Sequence, residues 1–205
     1  LDADPAVLGV ALEDGRDGIF AVPRLGGAIR PLSDFGLADT HGLADTVVVV
    51  TPDSTGALTA RFISPADGRV FEELSLPMES RTLEGIAWSP EGSRLALIDA
   101  LNVYLVDRAG TVTDTRDFID RAHIRWSADG RGLMYFETGT VREDDLVRWE
   151  VDEAGRFVGE PVTLRAAVQT LYQGQFDVAR RTGDVLLRTG DSRGDVWVFD
   201  VDDPQ

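Results

Sequence analysis

The side chains able to carry chemistry are few and lie far apart in the chain. His41 and His123 are the only histidines, and there is no cysteine. A structural or catalytic metal centre of the zinc type needs three or four His, Cys or carboxylate ligands, and two histidines make a poor start. Carboxylates are plentiful. Glu143-Asp144-Asp145 and the stretch from Asp200 to Asp203 offer oxygen ligands of the kind calcium takes. Neither run has the alternating acidic loop with a glycine and a distal glutamate, so both read as solvated faces. No spacing selects a carboxylate pair for glycoside cleavage. The letters Gly-x-Ser-x-Gly occur once, at Gly190-Asp191-Ser192-Arg193-Gly194, without the strand-to-helix setting of a nucleophile elbow, and the P-loop and the dinucleotide fingerprint are missing from the sequence. Arg193-Gly194-Asp195 spells an adhesion tripeptide, but Gly-Asp is ordinary turn chemistry. No catalytic residue, no metal and no cofactor is expected.

Charge narrows the partners. The 205 residues carry 36 acidic and 20 basic side chains, a formal net charge of −16. Phosphate backbones and anionic lipid demand basic patches, so nucleic acid and membrane surfaces are disfavoured. Cationic ligands and basic protein surfaces remain compatible. Every basic residue is arginine, and Asp outnumbers Glu. That usage reads either as a GC-rich coding bias or as a surface adapted to salt. No apolar run approaches the ~18 residues of a membrane span, so membrane insertion of this segment is not expected.

The elements that must position any site are short strands. Alternating or β-branched segments separated by Gly, Asp, Pro and Ser turns dominate the chain. One phrase recurs: IAWSPEGSRLALI at 86–98, IRWSADGRGLMYF at 124–136, and more loosely GQFDVARRTGDVLL at 174–187. Each is an aromatic-bearing strand, a polar turn with glycine, and an apolar strand. A repeat of roughly 40–50 residues built of short strands predicts an all-β fold, a β-propeller of four-stranded antiparallel blades. About five units fit, near residues 6–32, 33–77, 82–118, 120–165 and 170–203, within one domain over 1–205. The first unit offers its second to fourth strands without a clear inner one, and the last lacks its outer strand. Either five blades close on themselves or the chain is part of a larger propeller. Inner-strand aromatics are expected at Phe35, Trp88, Trp126 and Phe176, with Trp88 and Trp126 plugging the gaps between blades. Trp149 and Trp197, on third strands, are read the same way. A longer charged loop is expected from Gly139 to Asp144.

The segments WSPEGSRLALI and WSADGRGLMYF, with the later strands NVYLVD and DVWVFDVD, resemble the repeat of TolB-type propellers. GIFAVPRLGGAIRPL is similar to that family's third strand, Gly-Gly turn and fourth strand. The resemblance implies the architecture. It leaves function open, because such blades serve transport-linked periplasmic proteins, peptidase filtering domains and bacterial sensor regions.

Propeller geometry points to the mouth of the axial channel, where residues just before the inner strands and in the second-to-third hairpins converge. Aligning on the aromatics gives the candidate ligand-binding set Glu84, Arg121, His123, Tyr172 and Gln175, with Arg142 and Asp144 added from the hairpin of the fourth unit. The expected function is a non-enzymatic propeller module that binds a protein or peptide partner, a sensor or scaffold part of a larger bacterial protein. The alternative is an accessory propeller of a serine peptidase or a small glycoside-active propeller enzyme. An extracytoplasmic or periplasmic location suits the repeat, and the cytoplasm is compatible with the missing cysteines.

Overall fold

The computed structural model describes residues 5–11, 17–23, 28–40, 46–79, 83–118, 123–140, 143–168, 176–179, 181–188 and 196–199. All regular structure among them is strand, arranged in five antiparallel sheets. The first sheet holds β1 (Pro5–Ala11), β2 (Asp17–Pro23) and β3 (Arg30–Ser33). The second holds β4 (Leu37–Thr40), β5 (Val47–Pro52), β6 (Ala57–Ile63) and β7 (Val70–Glu79). The third holds β8 (Gly85–Trp88), β9 (Arg94–Ile98), β10 (Asn102–Asp107) and β11 (Val112–Asp117). The fourth holds β12 (Ile124–Trp126), β13 (Gly132–Thr140), β14 (Glu143–Val151) and β15 (Phe157–Val168). The fifth holds β16 (Phe176–Val178), β17 (Val185–Arg188) and β18 (Val196–Phe199).

The sheets stand face to face as propeller blades, and successive inner strands β4, β8, β12 and β16 touch one another. Second strands are buried on both faces, as a strand between two neighbouring blades must be. Val47–Val50, Leu95–Ile98 and Leu133–Phe136 are all core. Third strands alternate, and the fourth strand β11 is mostly exposed. Each fourth strand meets its neighbour through a bulged or shifted register. Bulges twist an edge and interrupt its row of free backbone groups, which protects it from pairing with other chains.

Strand direction identifies the short sheets. Arg30, at the start of β3, donates to the carbonyls of Pro65 and Ala66 in the turn before β7. β3 therefore starts at the same end as β7, and β1, β2 and β3 match the second, third and fourth strands of a full blade. The fifth sheet begins with its inner strand, β16, packed on β12.

Packing between blades follows the tryptophans. Trp88 is 4% exposed and meets Phe62 of the preceding blade edge-on at 5.3 Å. Trp126, also 4% exposed, donates its indole N–H to the Ala87 carbonyl at 3.1 Å. Trp149 instead lies over Phe157 of its own sheet at 4.5 Å. Of the two phenylalanines expected on inner strands, Phe176 lies on one and Phe35 does not, and neither holds the tryptophan position. Trp88 pairs with Leu95 and Trp126 with Leu133, each seven residues on. The same seven-residue step pairs Thr40 with Val47 and Val178 with Val185. Thr40 and Val178, not Phe35 and Phe176, hold the tryptophan position. Phe35 precedes β4 and is exposed, because the inner strand starts after it. The predicted loop from Gly139 to Asp144 is also mostly strand, since β13 runs to Thr140 and β14 starts at Glu143.

Candidate functional site

The two ends of the blades differ in what their connections do. At the turn end lie the links from first to second and from third to fourth strand. At the loop end lie the second-to-third hairpins and the links from one blade to the next.

The described members of the predicted binding set sit at the loop end. Glu84 is exposed, and its backbone N–H donates to the Ile98 carbonyl at 2.9 Å. His123 is half-buried, with Nε2 2.9 Å from the Phe176 carbonyl, to which it donates, and its ring edge-on to Phe176 at 5.5 Å. Burial, and then the nearby Arg125 guanidinium, hold its pKa below the usual imidazole value. His123 thus ties the fourth blade to the fifth. Asp144 lies in the fourth blade's hairpin, its backbone opposite Thr138 on one side and Val168 on the other. Arg121, Arg142, Tyr172 and Gln175 lie outside the described residues, as do His41, Trp197's side chain, the Arg193–Asp195 tripeptide and the Asp200–Asp203 run. Among the described residues no three acidic or histidine side chains converge as a metal site.

Leu101 and Phe35 join this end without having been expected there. Leu101, 62% exposed, tips the β9–β10 hairpin, and Phe35, 58% exposed, lies in the link between the first two blades. The Leu101 hairpin is stiff. Asp99 Oδ1 accepts the N–H groups of Leu101 at 2.9 Å and Asn102 at 2.8 Å, and Oδ2 accepts the Tyr104 hydroxyl at 2.9 Å. Burial first, then Asp99, raises the Tyr104 pKa, which keeps that hydroxyl a donor. The Phe118 N–H holds the Leu101 carbonyl at 2.6 Å. A single leucine at a hairpin tip carries no sequence signal. Its signal is the Asp two residues earlier, which makes an Asx turn.

The turn end is occupied with holding blades together. Ser89 Oγ accepts the Ser93 and Arg94 N–H groups, and Ser127 Oγ accepts the Gly132 N–H at 2.9 Å. Arg94 donates to the Glu153 carbonyl of the next blade at 2.7 Å, and Thr113 to the Gly155 carbonyl at 2.6 Å. Asp114 accepts the Phe157 N–H across the same boundary at 2.9 Å. Arg108 pairs with Glu72 and lies 3.7 Å over the Phe62 ring of the preceding blade. Between the third and fourth blades these turns leave an open groove of about 400 Å³, lined by Glu91, Arg94, Asp129, Arg131, Asp152 and Glu153 among others.

The sheets, their inner-strand contacts and their turns define the chain as a β-propeller. No protein-family model and no curated protein matches its sequence. Solved structures do match. TolB from Acinetobacter baumannii superposes with a TM-score of 0.65 at 14% identity, over 95% of this chain and 48% of that one. An acylaminoacyl peptidase gives 0.59 at 10% identity, over 89% and 33%. The WD40 domain of Toxoplasma gondii coronin gives 0.55 at 17% identity, over 92% and 51%. At these identities the likeness is one of fold, and the chain spans about half the length of TolB, or less of the peptidase.

Proposed function

We propose that the chain is a non-enzymatic propeller module that captures a protein or peptide partner at its loop end, as a sensor or scaffold part of a larger bacterial protein. The observation that carries this is Leu101, an apolar side chain held out by a hairpin whose backbone is fixed by Asp99 and Phe118. Recognition energy concentrates in few rigid apolar anchors ringed by polar groups. Glu84, His123 and Asp144 lie at the same end, and Arg121, Arg142, Tyr172 and Gln175 complete the proposed rim. The likeness to TolB supports an extracytoplasmic location.

The test is selection of a random peptide library on the whole chain. Selected peptides should lose at least tenfold in affinity on Leu101→Ala and on His123→Ala, with circular dichroism unchanged. Peptides that bind all loop-end variants equally, or a library from which nothing is enriched, would overturn the reading.

A further inference from the structure

Three successive joints between blades carry polar links at their inner strands, and the last of them differs in kind. Between the second and third blades the Trp88 N–H donates to the Asp39 carboxylate at 2.7 Å. Between the third and fourth the Trp126 indole donates to the Ala87 carbonyl. The fifth blade has Val178 at the position where those two carry tryptophan. There the link runs the other way. His123, just before β12, donates its Nε2–H to the Phe176 carbonyl of β16 at 2.9 Å. A titratable ring thus stands where the earlier joints use groups that keep their proton.

The surroundings of that ring suit its neutral form. It lies edge-on to Phe176 at 5.5 Å, and Phe176 lies edge-on to Phe136 at 5.3 Å. Phe176 is buried in a cluster to which β13 brings Met134 and Phe136, β14 brings Leu146, and β17 brings Leu187. Among the described residues the charged groups that act on His123 are Arg125 on β12 and Asp177 on β16. The Asp177 carboxylate is already paired with Arg125 Nε at 3.1 Å, and its side chain is 69% exposed. A second proton on His123 would therefore place a cation between an apolar cluster and a guanidinium, with its best counter-charge engaged and wet.

We propose that His123 makes the joint between the fourth and fifth blades acid-sensitive: the neutral ring seats β16 against β12, and protonation loosens the fifth blade from the fourth. Burial, and then Arg125, hold the seated imidazole below its ordinary value. The seated joint is thus fully favoured above the open-state value of about 6.5 and loses that preference as pH falls below it. An open-state imidazole is about nine-tenths protonated at about pH 5.5, which caps the effect there at about tenfold. The proposal does not rest on the loop-end reading, because it concerns the chain with no partner bound.

Hydrogen–deuterium exchange of the whole chain at about pH 7.5 and about pH 5.5 tests it, with each rate corrected for the intrinsic pH dependence of exchange. Carboxylates ordinarily titrate near about 4, so this window isolates histidine. The opening equilibrium of the β16 and β17 amides should rise about three- to tenfold on acidification, and that of β5 and β6 in the second blade less than about twofold. His123→Gln keeps an N–H for the Phe176 carbonyl and cannot titrate. It should hold the β16–β17 rise below about twofold, whatever its own effect at the higher pH. A rise that persists in His123→Gln would overturn the proposal, as would an equal rise in β5 and β6 or no rise in the parent. So would β16 and β17 amides that exchange without protection at the higher pH, since the joint would then not be seated at all.

Discussion

The turn end and the loop end are made from the same strands, yet they leave different side chains in solvent. At the turn end, serines, aspartates and arginines look inward and sideways. Ser89 and Ser127 close their own turns, while Arg94, Thr113 and Asp114 reach across to the next blade. At the loop end, Asp99 closes a hairpin whose tip leucine is left in solvent. A repeat protein needs one set of contacts that copies from unit to unit and another free to vary. Here the turn end repeats its Trp-Ser phrase, whereas the loop end, where Asp53 and Asp99 also close hairpins, leaves Leu101 and Phe35 in solvent.

If so, damage should rank by end. The largest loss is expected from Trp126→Ala, just inside the turn end. The change empties a buried site between two blades and removes the indole N–H donated to the Ala87 carbonyl. Such truncations cost about 3–5 kcal/mol, which denaturant unfolding would register as a much lower midpoint. A loss under about 1 kcal/mol would mean that the tryptophans do not clamp the blades, and the contrast between the ends would collapse.

Ser127→Ala comes next. Ser127 is buried, and its hydroxyl accepts the Gly132 N–H and donates its one proton to Asp129 at 2.6 Å. Its removal strands a buried donor, for about 1–3 kcal/mol. Ser89→Ala should cost less, because Ser89 serves only two N–H groups and no carboxylate. Equal costs would mean that the Asp129 link adds nothing.

This ranking also explains what was legible in the sequence. The turn-end phrases Trp-Ser-Pro-Glu-Gly and Trp-Ser-Ala-Asp-Gly announce themselves because each letter has a local job, in a turn or against a neighbouring blade. They gave the fold and the repeat. They did not give the second blade's inner strand, where Thr40 replaces the tryptophan and Phe35 misleads by lying five residues early. Nor could they give the loop end. Leu101 matters through its exposure, and exposure follows from where the hairpin stops relative to its neighbours. The groove was equally hidden, since it lies among three turns, two of them 38 residues apart at their tryptophans, 88 and 126.

Acid offers a further test of the turn end. Burial pushes the Asp129 pKa upward, but the Ser127 hydroxyl, the Arg131 N–H and the Arg148 guanidinium outweigh it and hold the carboxyl below its ordinary 3.8. A carboxylate with a depressed folded pKa stabilises the fold above the unfolded value, and that contribution is lost as pH falls through the folded value. Thermal stability of the parent should therefore drop below about pH 4 more steeply than that of Asp129→Asn. Parallel acid profiles would remove Asp129 from the turn-end lock.

The smallest effect should come from Leu101→Ser, and it sharpens the comparison most. Leu101 is 62% exposed, and the bonds that shape its hairpin use its backbone, not its side chain. Serine keeps all of them. Stability should move by less than about 0.5 kcal/mol, as for surface changes away from special features. On the proposed reading, Leu101 can then serve a partner without cost to the fold. If Leu101→Ser instead lowered stability by as much as Ser127→Ala, the hairpin tip would be part of the core architecture. The loop end would then be a second copying face rather than a binding one.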